Sequence, residues 1–451
     1  MNKKFKSNLL LRFIKLLNVV LVTAAFIVCW RAYYGNGVNR ILWLKGRLLV
    51  YLLYATLYII LSKTYDGFNV VLSHISDLIF SQVLALCISD FVIYIVICLL
   101  SARIVNVFPG ILCLIAQIIL CSIWVYVVHK LYFKINKPLP TAIIYDKDYS
   151  INSLINSYGL SKRFNVTKTI KIKDCKNNLS ILDDIKSVFI CDVHSSDRNI
   201  VLKYCIENDI DIYIIPRVGD VIVHGSSEVN MFHLPLYNAS RYSGDPEYLI
   251  IKRFFDIFVS LLLLIITLPI TLITAVCIKC NDGGPVLYKQ VRLTKNGKKF
   301  NILKFRSMKV DAEKNGIRLS SGDNDERITS VGKVIRKYRI DELPQLLNIL
   351  VGDLSLVGPR PERPEIAQKY CKTFPEFNLR LQVKAGLTGL AQVYGKYNTT
   401  PYNKLKFDLM YISNCNFIND LKIILATVKI LFSSESTEGI KENNTTALED
   451  E

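Results

Sequence analysis

Asp341 and Glu342 stand side by side, with Arg336 before them and Arg360 after. The stretch Arg336–Arg363, RKYRIDELPQLLNILVGDLSLVGPRPER, opens on basic residues and sets the two carboxylates just ahead of Pro344. It continues in a short apolar run, Leu346 to Val351, and closes on Gly358-Pro359-Arg360-Pro361, a rigid turn that carries an arginine. An acid pair beside arginines suits phosphoryl transfer. One carboxylate can attack phosphorus, the other can hold a metal or move a proton, and guanidinium groups can neutralise phosphate oxygens. The same residues have a plainer reading. Asp-Glu before Pro is a common helix opening, because acids suit the positive end of the helix dipole and Pro suits the first turn. The dipeptide alone favours that plainer reading, so its surroundings must decide.

Upstream, Phe254 to Ile278 is almost wholly apolar, with Pro269 inside it. That run is long enough to span a bilayer, which takes about 20 residues. Lys279 to Lys309, however, holds nine Lys/Arg and one acid, Asp282, and Lys252-Arg253 marks the other end. The positive-inside rule keeps both ends on the cytoplasmic side. A bend at Pro269, where a helix hydrogen bond is lost, then gives a re-entrant helix–break–helix; an ordinary kinked span is the alternative. After the Gly283-Gly284-Pro285 turn, Val286–Gln290 and Lys299–Lys304 read as a hairpin around Lys295-Asn296-Gly297-Lys298, since Asn-Gly is a strong turn signal. Lys304 and Arg306 lie two apart, which on a strand places both cations on one face, there to hold phosphates or simply to meet solvent. Asp311 to Arg327 reads as a mobile loop over the site. Downstream, Arg380 and Lys384 precede the glycine-bearing Ala385–Gln392, and Tyr402 to Phe432 reads as one or two amphipathic helices.

DELPQLLNILVGDLSLVGPRPE, with KRFFDIFVS, GGPVLYKQVR, GKKFNILKFRSM and Arg336 before it and KAGLTGLAQVYG after it, resembles the bacterial sugar transferases, the polyprenyl-phosphate hexose-1-phosphate transferases. The likeness covers roughly residues 250 to 430, and the four apolar segments upstream make the chain resemble the large, multi-span members. It implies transfer of a sugar-1-phosphate from a UDP-sugar to undecaprenyl phosphate, with release of UMP, at the start of a surface polysaccharide or glycoprotein glycan. Asp341 matches the family's nucleophile, which forms a covalent phosphosugar species. Glu342 matches the second member of the dyad, and the pair would hold Mg²⁺. Arg336 and Arg360 match phosphate-binding positions, with Lys304, Arg306 and Arg380 as further candidates; Pro269, Pro359 and Pro361 are structural. The chain departs from the family pattern at three places. Leu268 stands where many relatives have Ser, Leu293-Thr294 where a Gly is usual, and Ala385 where Pro is usual. A homodimer formed through the upstream regions is compatible with the resemblance.

The remainder of the chain fits a membrane protein. Half its residues are apolar (51%), its formal net charge is +18, and its mean hydropathy is positive. The positive excess points to anionic lipid or phosphorylated substrates, and no nucleic-acid recognition motif is present. Four apolar stretches, Leu9–Trp30, Ile41–Leu61, Ile75–Leu100 and Val107–Val128, make residues 1–135 a region of four transmembrane helices with both flanks in the cytoplasm. The basic start and the absence of a small-residue cleavage site make the first a retained span. Residues 140–248 alternate β-rich runs (TAIIYD, SVFICDV, DIYIIPRV) with helical patterns, as a Rossmann-like α/β domain does. The turn after its first run, Tyr145 to Ser150, has no glycine, so no dinucleotide is expected. The expected order is therefore four spans, that α/β domain, a re-entrant helix at 250–280, a small α/β (α+β) catalytic domain at 281–432, and a disordered acidic tail at 433–451. The 12 cysteines lack zinc-ligand spacing and read as structural in a reducing compartment. Two rival readings differ in mechanism. A membrane scaffold or sensor would carry an inactive C-terminal domain, and a direct-transfer polytopic enzyme would use scattered acids across many spans.

Overall fold

The computed structural model describes residues 3–35, 44–146, 155, 160–310, 327–395 and 399–431. The expected loop, apart from Arg327, the tail from Ser433, and residues 147–150 of the turn after the first strand lie outside the described residues. The chain divides into two compact units, Met1–Ile215 and Pro216–Glu451.

The first unit opens with α1 (Lys3–Cys29), α2 (Leu44–Thr64), α3 (Ile75–Ser101) and α4 (Phe108–Ile135). All four are long and apolar enough to cross a membrane. They are apolar around most of their circumference, and Phe13, Leu49, Phe91 and Leu112 lie exposed on the outside, the pattern of helices solvated by lipid. Inside, Phe26 stacks on Tyr54 with ring centroids 4.3 Å apart. Hydrogen bonds there join buried side chains of different helices. Tyr58 donates to Asn18 Oδ1 at 2.8 Å, and Gln117 donates to the Tyr54 hydroxyl at 2.8 Å.

A four-stranded sheet follows, from β1 (Leu139–Tyr145), β2 (Phe164–Lys171), β3 (Ser187–Cys191) and β4 (Asp211–Ile214), all parallel in the order β2-β1-β3-β4. Helices α5 (Ile172–Asn177) and α6 (Ser195–Glu207) complete it. Ala142, Ile144 and Val188 are buried on one face and Ile143 and Phe164 on the other, which is why β1 and β3 read as apolar runs without alternation, whereas β2, at the sheet edge, alternates. The sheet ends at Ile214, short of the expected boundary at residue 248. From Pro216 on, the chain belongs to the second unit, whose core buries Val218 and Val221 of α7 (Val218–His224).

In the second unit an antiparallel hairpin, β5 (Ser227–Met231) and β6 (Leu234–Asn238), precedes α8 (Pro246–Asp282), which has Pro269 inside it. Proline leaves a helical carbonyl without its donor. Around it, Thr267 donates to Leu263 O at 2.7 Å and Thr271 to Leu268 O at 2.8 Å, back-bonds of the kind that bend helices. Both ends of α8 rest on this same unit. Near the start, Arg253 donates to the carbonyls of Ile349 (2.6 Å) and Leu350 (2.8 Å), and Asp256 accepts from Ser355 Oγ (2.8 Å) and Leu356 N (3.2 Å). At the far end, Asp282 pairs with Arg306, and Ile278 is buried against Phe305 and Ile335. Between them Ile265, Ile266, Leu272 and Ile273 are exposed.

The next hairpin, β7 (Leu287–Leu293) and β8 (Lys299–Phe305), is antiparallel, as its Asn-Gly signal requires. Asn296 and Gly297 take φ of 59° and 75°, the left-handed conformation that this dipeptide tolerates best. Helices α9 (Ser330–Lys337) and α10 (Gln345–Val351) frame the acid pair. They are followed by β9 (Ser355–Val357), α11 (Pro364–Thr373), β10 (Gly386–Thr388), α12 (Leu390–Tyr394), α13 (Pro401–Ser413) and α14 (Phe417–Leu431). Leu346, Ile349, Leu405, Leu409 and Ile423 meet in the core.

Candidate active site

The acid pair sits in a single 3₁₀ turn, Ile340–Glu342, between α9 and α10. Arg339 enters that turn with a φ of 54°, a conformation that non-glycine residues rarely hold and that clusters at functional sites. On the other side, buried Asn348 of α10 acts as a side-chain partner for β8. It accepts from Leu303 N at 2.9 Å and donates to Asn301 O at 2.8 Å. The turn bearing the acids is thereby locked to the strand bearing Lys304.

The two carboxylates have opposite surroundings. Glu342 Oε1 accepts from Lys304 Nζ at 2.9 Å and from Arg360 Nη2 at 3.2 Å, and Arg339 lies 4.0 Å from Oε2. Burial on its own would raise the Glu342 pKa, but Lys304, Arg360 and Arg339 outweigh it and hold the group well below the usual carboxylate range. Asp341 has no hydrogen-bond or ion-pair partner among the described residues. Burial pushes it to about 6; Lys304 opposes the rise and the neighbouring Glu342 charge adds to it. Arg336, on the last turn of α9, is close enough to draw the Asp341 pKa downward. Two carboxylates pushed apart in this way can take different roles: Glu342 as a fixed anion that organises cations, and Asp341 as a base or nucleophile.

The other sequence candidates go elsewhere. Lys304 and Arg306 stand two apart at the end of β8, where Arg306 N still donates to Val286 O at 2.9 Å. They meet different acids: Lys304 reaches Glu342, and Arg306 pairs with Asp282 at the end of α8. Arg380 is buried at 6% exposure, pairs with Asp408 at 2.8 Å and donates to the backbone carbonyl of Arg360 at 2.8 Å. Pro359 and Pro361 are both buried in the turn that carries Arg360. Sequence reasoning passed over Arg339 and Asp408. Arg339 could have been found by its three-residue spacing from Glu342. Asp408 could have been found because it shares a helical face with Leu405, Leu409 and Ile412, where an acid needs a buried partner.

Among the described residues no group of three or more His, Cys, Asp or Glu side chains could hold a metal ion. Mg²⁺ needs only one or two carboxylates when substrate phosphates complete its shell. Asp341 and Glu342 are such a donor set, so they fit that ion but do not make a self-contained cage.

The sequence model described as "Bacterial sugar transferase" matches residues 247–434, from the start of α8 to just past α14. A UDP-N-acetylgalactosamine-undecaprenyl-phosphate N-acetylgalactosaminephosphotransferase of Aeromonas hydrophila is 35% identical over 235 residues, covering 51% of this chain and 55% of that protein. An uncharacterized sugar transferase, EpsL, of Bacillus subtilis is 41% identical over 197 residues, 44% of this chain and 93% of that protein. A UDP-glucose:undecaprenyl-phosphate glucose-1-phosphate transferase of Klebsiella pneumoniae is 38% identical over 211 residues, 46% of this chain and 43% of that protein. The chain thus spans about half of the first and less than half of the third, but nearly the whole of the B. subtilis protein.

Proposed function

Because this chain belongs to the bacterial sugar transferase family, we propose that it transfers a sugar-1-phosphate from a UDP-sugar to undecaprenyl phosphate, releasing UMP. The observation that carries this reading is the split acid pair, with Glu342 held by cations and Asp341 without a partner among the described residues. In the first step an Asp341 carboxylate oxygen attacks the phosphorus that bears the sugar. The P–O bond to UMP breaks and an acyl phosphate forms on Asp341. In the second step a phosphate oxygen of undecaprenyl phosphate attacks the same phosphorus and expels the Asp341 carboxylate. One hard transfer is thereby divided into two easier ones. Lys304 and Arg360 keep Glu342 charged, and Arg336 and Arg360 offset phosphate charge as it develops. Mg²⁺, held by Asp341 and Glu342, would supply further neutralisation of the diphosphate.

The membrane arrangement belongs to the same proposal. A span carries its two ends to opposite sides of the bilayer, yet both ends of α8 are fastened to one globular unit. That supports re-entry of α8 with its bend at Pro269, and four true spans in α1 to α4. The catalytic unit would then lie at the cytoplasmic face of the bacterial inner membrane, where the UDP-sugar is soluble and the acceptor phosphate surfaces. The product would initiate an exopolysaccharide, capsule, O-antigen or glycoprotein glycan.

The test is UMP release by the nanodisc-embedded chain with a panel of UDP-sugars and undecaprenyl phosphate, with Mg²⁺ or EDTA. Release with one sugar, its loss in Asp341→Ala, and a phosphosugar trapped on Asp341 are the expected results. A folded protein that releases no UMP from any donor would return weight to the scaffold reading.

A further inference from the structure

The Arg360 turn cannot fasten itself. Pro359 and Pro361 have no N–H, so the turn depends on donors from outside to fix its backbone. Four successive carbonyls of this segment each accept one hydrogen bond. Pro359 O accepts from Gly386 N at 2.9 Å and Glu362 O from Leu293 N at 3.0 Å. Between them, Arg360 O accepts from Arg380 Nη2 at 2.8 Å and Pro361 O from Arg292 Nη1 at 3.0 Å. The two central pins are therefore arginine side chains, one arriving from β7 and the other from the 3₁₀ segment Pro375–Gln382. Both guanidinium groups are balanced inside the protein. Glu362 lies between them, 3.9 Å from Arg292 and 3.7 Å from Arg380, and Asp408 closes on Arg380 at 2.8 Å.

We infer that Arg292 and Arg380 are positioning residues for Arg360, clamping its backbone while Glu362 and Asp408 offset their charge, and that neither is a phosphate ligand. The side chains are spent on the turn: Arg380 is 6% exposed and Arg292 18% exposed, against 45% for Arg360. An arginine that recognises phosphate needs its fork directed at the ligand. Here the forks face carbonyls and carboxylates, and the outward group is the one they hold in place. What Arg360 is positioned for rests on the transferase reading above.

The test is a double-mutant cycle on the full chain in nanodiscs, read as UMP release and as amide exchange of the peptide containing Arg360 and Glu362. Arg380→Gln and Arg292→Gln, each alone, should lower kcat by on the order of 10²-fold, the cost of misplacing a reacting group by about 1 Å. The donor KM should stay within about twofold, because a uniform binding contact is not lost. In an Arg360→Ala background neither substitution should lower kcat further. Arg380→Lys, which can still donate to the carbonyl, should recover part of the rate. Exchange at Arg360 and Glu362 should quicken in both single variants, while the α10 peptide stays as in wild type. Effects that multiply with Arg360→Ala, or a raised donor KM with kcat intact, would overturn the inference. If Arg380→Gln does not fold, Arg292→Gln decides. If wild type releases no UMP, the transferase reading fails and the exchange measurement still decides whether the clamp exists.

Discussion

The interiors of the two units are built from different chemistry. Among the described residues, the most buried polar side chains within the helices of the first unit are amides, hydroxyls and an imidazole: Asn18, Ser62, Ser81, Gln82, Ser89, Gln117 and His129. In the second unit the buried polar side chains include Asp256, Arg306, Arg380, Lys406, Asp408 and Asp420. Several of these are paired across the fold, as Lys252 is with Asp420 at 2.7 Å and Arg380 with Asp408 at 2.8 Å. A neutral hydrogen bond can be buried at small cost, whereas an ion removed from water costs several kcal/mol unless it is paired. Among the described residues, the helices α1 to α4 hold no ion pair, and Asp90 of α3 is an acid that reaches their interior. The second unit accepts the expense of buried ions where it must hold a membrane helix and a cation-bearing turn in fixed geometry.

Four measurements would break or sharpen this contrast. The largest effect is expected at Asp341, which has no hydrogen-bond or ion-pair partner among the described residues. Asp341→Asn keeps the shape and removes the nucleophile, so UMP release should fall by at least about 10³-fold, with the melting temperature little changed. Next is a broken ion pair. Asp408→Leu strands Arg380 beside Glu362 alone, and denaturant unfolding should show a loss of about 3–5 kcal/mol, the usual result of removing one partner of a buried pair. A similar loss from a single neutral substitution in the bundle would erase the distinction. Third is pH. Asp341 must be ionised to attack and its pKa is raised to about 6. Turnover should therefore hold steady above that pH and fall about tenfold per unit below it. The sign for stability is opposite, because a raised carboxylate pKa favours the folded state as pH falls from about 6 toward 3.8. A rate that is flat from pH 7 to 5 would remove Asp341 from the role of nucleophile. The smallest effect belongs to the bundle. Tyr58→Phe deletes the bond to Asn18 and should cost about 0.6 kcal/mol, typical of a hydrogen bond between membrane helices, with UMP release unchanged.

Much of this was legible in the sequence wherever a local rule governs the outcome. Asn296-Gly297 announces its hairpin because few other dipeptides accept two positive φ angles. Asp341-Glu342 before Pro344 announces a helix opening, and α10 indeed starts at Gln345; the apolar runs of α1 to α4 announce helices whose outer surfaces need no water. The destinations of the cations were not legible, because those are set by partners distant in the chain. Lys304 and Arg306 differ by two positions, yet one meets Glu342, 38 residues on, and the other Asp282, 24 residues back. Arg380 looks like a phosphate ligand until its neighbour 28 residues on, Asp408, is brought against it.

The hydroxyl of Thr294 donates to Asp353 O at 3.0 Å and accepts from Ala385 N at 3.2 Å. Without that hydroxyl both the Ala385 N–H and the Asp353 carbonyl would lose this partner, at about 1–3 kcal/mol for a buried group left unsatisfied. Thr294 stands just past the end of β7, Asp353 two residues before β9 and Ala385 immediately before β10. One hydroxyl therefore ties together three segments that are far apart in the chain, and a Thr294→Val substitution would loosen all three at once.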